Sequence, residues 1–164
     1  MSELRIPIGF CEITYDSKVL RFFADECEFK AIPKYKKMYS GFDEVGYILE
    51  EYDVSLTVPL VEETYETLKM AIYNFDHELN GFYDNPTQVN SEGKPLIIHP
   101  IDIGATKEYD IVILNAFIDP EMGFNRVFKK EQDSISIRFK GKSKKINDKL
   151  HWFYIGDWSA SGVI

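Results

Sequence analysis

The residues of this chain that could carry out chemistry are few and lie far apart in the sequence. Its three histidines, His77, His99 and His151, belong to separate segments. Histidines that bind one metal from one element usually stand at His-x-x-x-His or a similar spacing, which does not occur here. His99 lies in an apolar run next to Pro100, where a hydrogen-bonded structural histidine is the ordinary interpretation. We therefore predict no metal and no cofactor.

Motifs for acid–base, nucleophilic or phosphate chemistry are also missing from the sequence. The adjacent acids Glu50 and Glu51 would point to opposite faces of a strand, which is poor geometry for shared proton transfer. Segment 141–143, Gly-Lys-Ser, lacks the upstream glycine of a phosphate-binding loop. No Gly-x-Ser-x-Gly elbow occurs. The sequence predicts a protein that is not an enzyme.

The composition suits one globular domain and argues against several classes of protein. Hydrophobic residues make up 45% of the 164 residues, enough for an ordinary core, so we predict a single domain over 1–164. A net charge of −8 disfavours a general nucleic-acid-binding protein, which needs a basic surface. Cys11 and Cys27 are too few for a disulfide framework and are expected as small apolar residues in strands. We expect no signal peptide and no membrane span, because no stretch approaches about 18 apolar residues.

The elements that must position these residues are mainly strands. In segment 46–60, Val54, Leu56 and Val58 alternate with polar residues, which predicts a long strand with one buried and one wet face. Leu60 continues the buried side. Segment 29–39 is rich in lysine and contains a proline, a pattern typical of a sheet edge. Further strands are predicted at 6–15, 19–23, 96–103, 111–118, 134–139 and 150–155, with turns at 16–17 and a charged turn at 141–149.

One helix is predicted, over residues 62–75, because Tyr65, Leu68 and Ile72 recur at helical spacing. Many strands with one helix predict a mainly β fold, an antiparallel β-sandwich or barrel with one flanking α-helix. After the helix, residues 76–93 predict a long polar loop, and such loops are usually functional or mobile. The loop residues that we select as candidates for contacts with other molecules are Asn80, Tyr83, Asp84, Asn85 and Asn90.

Charge is unevenly placed along the chain. Residues 124–149 hold nine Lys and Arg against three Asp and Glu, a net charge of +6, whereas the other 138 residues sum to −14. A solvated basic hairpin on an acidic domain is one interpretation. In the other, a basic edge on one copy meets an acidic edge on the next, which would set register and partner choice. The basic interface candidates are Lys140, Lys142, Lys144 and Lys145.

An aromatic cluster near the end of the chain, Trp152, Phe153, Tyr154 and Trp158, also has two interpretations. Core or interface packing is the first. A stacking platform for sugars or bases is the second, although stacking on single-stranded nucleic acid normally comes with a basic groove. The second interpretation gives an alternative function, a monomeric β-sandwich or barrel that binds a small ligand or a carbohydrate.

The order of segments resembles the tail tube (major tail) proteins of long-tailed bacteriophages. In that family a strand ending in Leu-x-Glu-Glu-Thr leads into the single helix, as residues 60–64 do here. A late strand ending in Phe-Lys, here 139–140, precedes a final strand closing on Phe-x-Ile-Gly, here 153–156. The likeness covers roughly residues 45–75 and 110–157.

The resemblance implies a structural virion protein of the phage tail, assembled in the host bacterial cytoplasm, with no membrane partner. Its partners would be other copies of itself and other tail proteins. Six subunits would form a ring, and stacked rings would form a tube through which DNA is ejected without specific binding. An acidic lumen would repel the DNA backbone. We predict that the polar face of the long strand faces this lumen, with Glu51, Asp53, Ser55 and Thr57, and that the loop 76–93 makes ring-to-ring contacts.

Overall fold

The computed structural model describes residues 9–20, 26–60, 64–72, 74–87, 92–131 and 134–160. Within these residues there are twelve β-strands, one α-helix (α1, Tyr65–Ile72) and two 3₁₀ turns (η1, Ile101–Ile103; η2, Trp158–Ala160). The strands are β1 Cys11–Tyr15, β2 Lys18–Leu20, β3 Glu28–Ser40, β4 Asp43–Leu60, β5 Phe75–Glu78, β6 Gly81–Asp84, β7 Lys94–Pro100, β8 Ile111–Ile118, β9 Ile135–Gly141, β10 Lys144–Ile146, β11 Lys149–His151 and β12 Phe153–Ile155. The predicted mainly β fold with a flanking helix is confirmed.

Eight strands form one antiparallel sheet. Seven of them follow the order β2-β1-β7-β8-β9-β4-β3, and β12 pairs with the start of β8. Two separate hairpins, β5–β6 and β10–β11, lie outside this sheet. The lysine-rich β3 is an edge strand, as predicted, and its charged side chains discourage uncontrolled pairing at that edge.

The main sheet is strongly curled. Only eight Cα-to-Cα steps separate Leu20, at one edge, from Glu28, at the other edge. A fully extended chain of that length spans about 26–29 Å, which is no more than the width of about 29 Å that seven flat strands would have. Leu20 and Phe29, from the two edge strands, also pack against the same core cluster. The two edges therefore approach each other, and the sheet forms a half-barrel around its core.

The buried core is built from the inward sides of β1, β4, β7, β8 and β9. The four alternating residues of β4, Val54, Leu56, Val58 and Leu60, are all buried, as the sequence predicts. Phe139 from β9 is the largest fully buried side chain. Among the described residues, the buried members of the cluster are Ile13, Val54, Leu56, Val58, Leu60, Leu96, Ile98, Ile113, Ala116, Ile137 and Phe139.

The helix is shorter than the predicted 62–75. It begins after Thr64, whose Oγ1 accepts a hydrogen bond from the Thr67 N–H at 3.2 Å while its own N–H donates to Thr67 Oγ1 at 2.9 Å. This reciprocal capping fixes the first turn. Met70 and Ala71 pack against the core, whereas Tyr65, which we expected on the buried side, is exposed. Residues 61–63 and 73 lie outside the described part of the chain.

The prediction of a loop over 76–93 is wrong for its first half, which lies in the β5–β6 hairpin. The hairpin turns at Leu79 and Asn80, and Asn80 adopts a φ of 65°, which asparagine tolerates. Phe82 supplies the apolar contact, with its ring 6.0 Å from that of Tyr65 and 5.5 Å from that of Phe75. Strands this short were hidden because one of the stabilising contacts, that of Phe82 with Tyr65, joins the hairpin to a different element.

Two predictions near the end of the chain also need correction. The charged turn 141–149 contains the β10–β11 hairpin, whose turn residues Asn147 and Asp148 both have positive φ, as in a type I′ turn. The predicted strand 150–155 is two strands in different sheets, because β12 leaves β11 and pairs with β8. The same positive φ values at Asp16 and Ser17 confirm the predicted first turn.

Candidate assembly interface

The β3–β4 hairpin extends far beyond the rest of the sheet. β9 pairs with β4 only along Ser55–Leu60, whereas β3 pairs with β4 from Glu28 to Ser40. Every residue from 32 to 51 is exposed except Gly46, which is half-buried. Nine residues in each strand span about 30 Å. We call residues 32–51 the ribbon.

Two β-bulges shape the ribbon. The pairing shifts by one residue between Lys34 and Tyr35 and again between Met38 and Tyr39, which leaves Glu50 and Val45 as extra residues of β4. A bulge bends the strand and increases its twist. The ribbon is therefore curved by its own sequence, without help from a neighbouring strand.

The ribbon exposes many apolar side chains on both of its faces. Phe42, at the tip, is fully exposed, and Tyr35 and Tyr47 contact each other edge to face at 6.3 Å. An isolated two-stranded ribbon is marginally stable in water, and exposed apolar surface usually marks an interaction site. The exposed set is Ile32, Tyr35, Met38, Tyr39, Phe42, Val45, Tyr47, Ile48 and Leu49. Among the described residues, the ribbon is therefore the strongest candidate interface.

The two strands of the ribbon carry opposite charges. Lysines 34, 36 and 37 lie on β3, and acids 43, 44, 50 and 51 lie on β4. Lys37 Nζ lies 3.0 Å from Glu44 Oε2, and Lys34 Nζ lies 4.0 Å from Glu51 Oε2. The ribbon is therefore basic along one edge and acidic along the other.

The predicted lumen-facing residues share one face of β4, but that face is not uniformly acidic. Ser55 lies directly opposite Lys30 on one side and Lys140 on the other, and Thr57 lies opposite Arg138. Side chains directly opposite each other in a sheet share a face. This face therefore carries at least as many bases as acids. The pairing of β4 with β3 and β9 places the bases, which come from distant segments, on the same face as Glu51 and Asp53. Ser55 itself is only 5% exposed.

A buried carboxylate that we did not select from the sequence organises the basic side of this face. Asp119, just after β8, is almost entirely buried, and its Oδ2 accepts a hydrogen bond from Arg138 Nε at 2.6 Å and contacts Nη2 of the same guanidinium. Lys140 Nζ lies 3.8 Å from the same oxygen. The other carboxylate oxygen of Asp119, Oδ1, accepts a hydrogen bond from the Glu121 N–H at 3.0 Å. In sequence, Asp119 is one acid among many, and only the fold gives it this role.

The four basic interface candidates have different local partners. Lys140 belongs to the mixed-charge face, and the Nζ of Lys142 lies 5.0 Å from the ring centre of Phe117. Lys144 and Lys145 are on the separate β10–β11 hairpin. Lys145 pairs with Asp148 at 3.0 Å, and Lys144 Nζ lies 5.8 Å from the Trp158 ring.

The predicted contact residues of segment 76–93 are held in place by local bonds. The backbone oxygen of Asn80 accepts a hydrogen bond from the Tyr65 hydroxyl at 3.0 Å, and Asn85 Nδ2 donates to Asp76 Oδ2 at 3.0 Å. Tyr83 is exposed and Asp84 ends β6. These residues lie on one hairpin beside α1, and Asn90 lies outside the described residues.

The histidines lie in three different sheets, β5–β6, the main sheet and β10–β11. In the described part of the chain no three His, Cys, Asp or Glu side chains lie close enough to hold a metal ion. The ring nitrogens of His99 both face acceptors, Asp110 Oδ1 at 2.6 Å and the Gly104 backbone oxygen at 2.8 Å. The hydrogen bond to Asp110 raises the pKa of His99. This pair joins the end of β7 to the residue just before β8, which is a structural role for a half-buried histidine.

The aromatic cluster packs mainly against itself and the sheet. The Trp152 and Tyr52 ring centres are 5.1 Å apart, and those of Tyr154 and Trp158 are 5.5 Å apart. Trp158 also borders an open cavity of about 380 Å³ with His99. Packing accounts for these rings better than an exposed stacking platform. In the described ranges, no helix has the length and apolar character that spanning a bilayer requires.

Solved structures show which class of fold this is, although no protein-family model and no curated protein matches the sequence. The sheath/tube terminator of the PVC extracellular contractile injection system, in its extended state, superposes with a TM-score of 0.56 at 11% identity. That match covers 94% of this chain and 99% of the other. A chain of the PVC sheath-tube complex in the extended state gives a TM-score of 0.53 at 11% identity over 94% of each chain. The chain therefore has the tail-tube-type fold that its segment order resembles.

Proposed function

We propose that the chain is a structural, non-catalytic subunit of a tail tube, and that it polymerises with copies of itself. The observation that carries this proposal is the ribbon, about 30 Å of paired strand that leaves nine large apolar side chains in water. Folded monomers rarely keep such a surface uncovered. The tail-tube-type fold supports the same function, because structures that share it include a sheath/tube terminator.

A head-to-tail arrangement of ribbons would pair the free backbone groups of the strand edges and would place opposite charges beside each other. Within the described residues, β4 has no second neighbour along residues 43–54, and β3 is a free edge. The basic β3 edge of one copy would lie beside the acidic β4 edge of the next. Because this contact uses two different surfaces, it repeats around a closed ring or along an open filament. Pairing of this kind would also remove the exposed edges.

The finer form of the proposal is a phage tail, with six subunits in each ring, stacked rings in a virion, assembly in the host bacterial cytoplasm and DNA as the cargo. In that form the face with Glu51 and Asp53 lines the lumen, and these two carboxylates would repel the DNA backbone. Replacing Glu51 and Asp53 by Lys should leave the fold unchanged and slow DNA passage. Unchanged ejection by tails carrying this variant would contradict the lumen assignment.

The β5–β6 hairpin is the proposed contact between rings. Tyr83 is exposed there, and the tip residue Leu79 is 84% exposed. Replacing both by Ser should leave single rings but abolish long tubes in electron micrographs. The matched control is Ile155→Ser, because Ile155 is similarly exposed and lies outside this hairpin. Tubes of normal length in the hairpin variant would contradict the assignment.

The function itself is tested by imaging the purified chain over a concentration series in negative stain. A tube subunit gives rings or tubes whose number rises with concentration. Replacing the ribbon residues Phe42 and Ile48 by Ser and Thr should prevent them, whereas Ile101→Thr, at a similarly exposed position outside the ribbon, should not. Particles that stay monomeric, and become more heat-stable with a sugar or small ligand, would support the alternative ligand-binding module instead.

A further inference from the structure

The two cysteines lie at opposite sides of the seam where the curled sheet nearly closes. Cys11 begins β1 at a position that the short β2 does not reach, because β2 pairs only with Ile13, Thr14 and Tyr15. Cys27 immediately precedes β3, the strand at the other edge of the sheet. The two positions are therefore far apart in the order of strands but adjacent in space.

The side chains of the two cysteines meet across this seam. Both pack against the same core cluster, and their sulfur atoms share a hydrogen bond. Both residues are half-buried, so a small oxidant can reach them. We propose that Cys11 and Cys27 form a reversible disulfide that fastens the two edges of the curled sheet together.

The environment of the pair assigns a different role to each sulfur. The hydrogen bond from the Cys27 thiol lowers the pKa of Cys11, and the same hydrogen bond raises the pKa of Cys27. Cys11 is therefore the residue that ionises first, and the thiolate is the nucleophile in disulfide exchange.

A low-molecular-weight disulfide such as oxidised glutathione completes the reaction. The Cys11 thiolate attacks one glutathione sulfur, a new sulfur–sulfur bond forms, and the first glutathione leaves as a thiolate. The Cys27 thiol then loses its proton and attacks Cys11, which expels the second glutathione. The protein loses two protons and two electrons, and one glutathione disulfide becomes two glutathione thiols.

The disulfide would close a loop of 17 residues, from Cys11 to Cys27. Closing a loop of that size restricts the unfolded chain, and we expect the melting temperature of the oxidised protein to rise by about 5–10 °C. The stabilisation would be available in an oxidising medium and absent in a reducing one.

Peptide mapping of the native full-length chain tests the proposal. The reduced protein is incubated in glutathione buffers of increasing oxidised fraction, the remaining thiols are alkylated, and the chain is digested with trypsin without reduction. Cleavage at Arg5, Lys18, Arg21 and Lys30 places Cys11 in peptide 6–18 and Cys27 in peptide 22–30. We expect these two peptides to appear as one linked species from a protein that still runs as a monomer on a denaturing, non-reducing gel.

The variants Cys11→Ser and Cys27→Ser serve as controls. In Cys27→Ser, Cys11 should stop at the glutathione adduct, and neither variant should gain thermal stability on oxidation. The proposal is overturned if the native chain gives only separate glutathione adducts or free thiols while the urea-unfolded chain forms the linked peptide. A disulfide found only between two chains would overturn it equally.

Discussion

Ser55 and Lys140 lie directly opposite each other across β4 and β9, so their side chains share one face of the curled sheet. Lys30 flanks Ser55 from the other side, and this arrangement gives the face both signs of charge. The same strand, β4, runs on into the ribbon, where basic and acidic residues lie on separate strands. The ribbon can therefore meet the ribbon of a second copy with bases against acids, which sets the register of an assembly.

The buried carboxylate of Asp119 should be a major contributor to stability. Asp119→Asn removes the charge that faces the Arg138 guanidinium, so we expect the free energy of unfolding to fall by about 2 kcal/mol. Urea denaturation measures this loss. The matched control is Asp148→Asn, which breaks the exposed pair with Lys145 and should change stability by less than about 0.5 kcal/mol. Equal losses in the two variants would contradict the role of burial.

The His99–Asp110 pair should make stability depend on pH. The pKa of His99 is raised in the folded state, chiefly by its hydrogen bond with Asp110, and Glu12 adds to the shift. The contribution is therefore complete below the unfolded pKa of about 6.5 and is lost as pH rises through the higher folded value.

Urea titrations between pH 5 and pH 9 test this dependence. His99→Gln should lose stability mainly at the acidic end, so that its difference from the unsubstituted protein shrinks as pH rises. The control variant is His151→Gln, because His151 is exposed and lies outside the His99–Asp110 pair. A difference between His99→Gln and the unsubstituted protein that grows with pH would have the wrong sign.

Gly141 allows β9 to pack closely against the core. A Cβ atom at this position would lie 2.8 Å from Ile113 Cγ2 and 3.2 Å from Val54 Cγ1. Gly141→Ala should therefore lower the free energy of unfolding by about 1–3 kcal/mol through overpacking. Gly81→Ala is the matched control, because a Cβ there meets nothing within 4 Å. A Gly141→Ala protein as stable as Gly81→Ala would show that the core can relax around the methyl group.

The sequence alone was enough to predict those elements in which the pattern of residues along the strand reflects its burial. Strict alternation located β4 and its buried residues Val54, Leu56 and Val58, and the lysines of β3 marked the sheet edge. The β5–β6 hairpin was missed, because the contact between Tyr65 and Phe82 that stabilises it joins two elements.

The charge of the candidate interface could not be read from one strand at a time. Glu51 and Asp53 suggested an acidic face, and only the pairing of β4 with β3 and β9 brings Lys30, Arg138 and Lys140 to the same side. A count of charges along the chain shows only which residues are close in sequence. In a sheet, the pairing register decides which side chains share a face. The contact between Cys11 and Cys27 was hidden for the same reason, since it arises from the curl of the whole sheet.

The most direct test of the head-to-tail assembly mixes two variants with reversed charges. One variant carries Glu at Lys34 and Lys36 on the basic edge, and the other carries Lys at Asp43 and Glu50 on the acidic edge. Sedimentation velocity records the concentration at which half of the protein is assembled. We expect the half-assembly concentration of each variant alone to be at least about ten times that of the unsubstituted protein. An equimolar mixture should assemble at a concentration close to that of the unsubstituted protein, because each interface in the mixture joins opposite charges. A mixture that assembles no better than the separate variants would contradict contact between the basic edge of one copy and the acidic edge of the next.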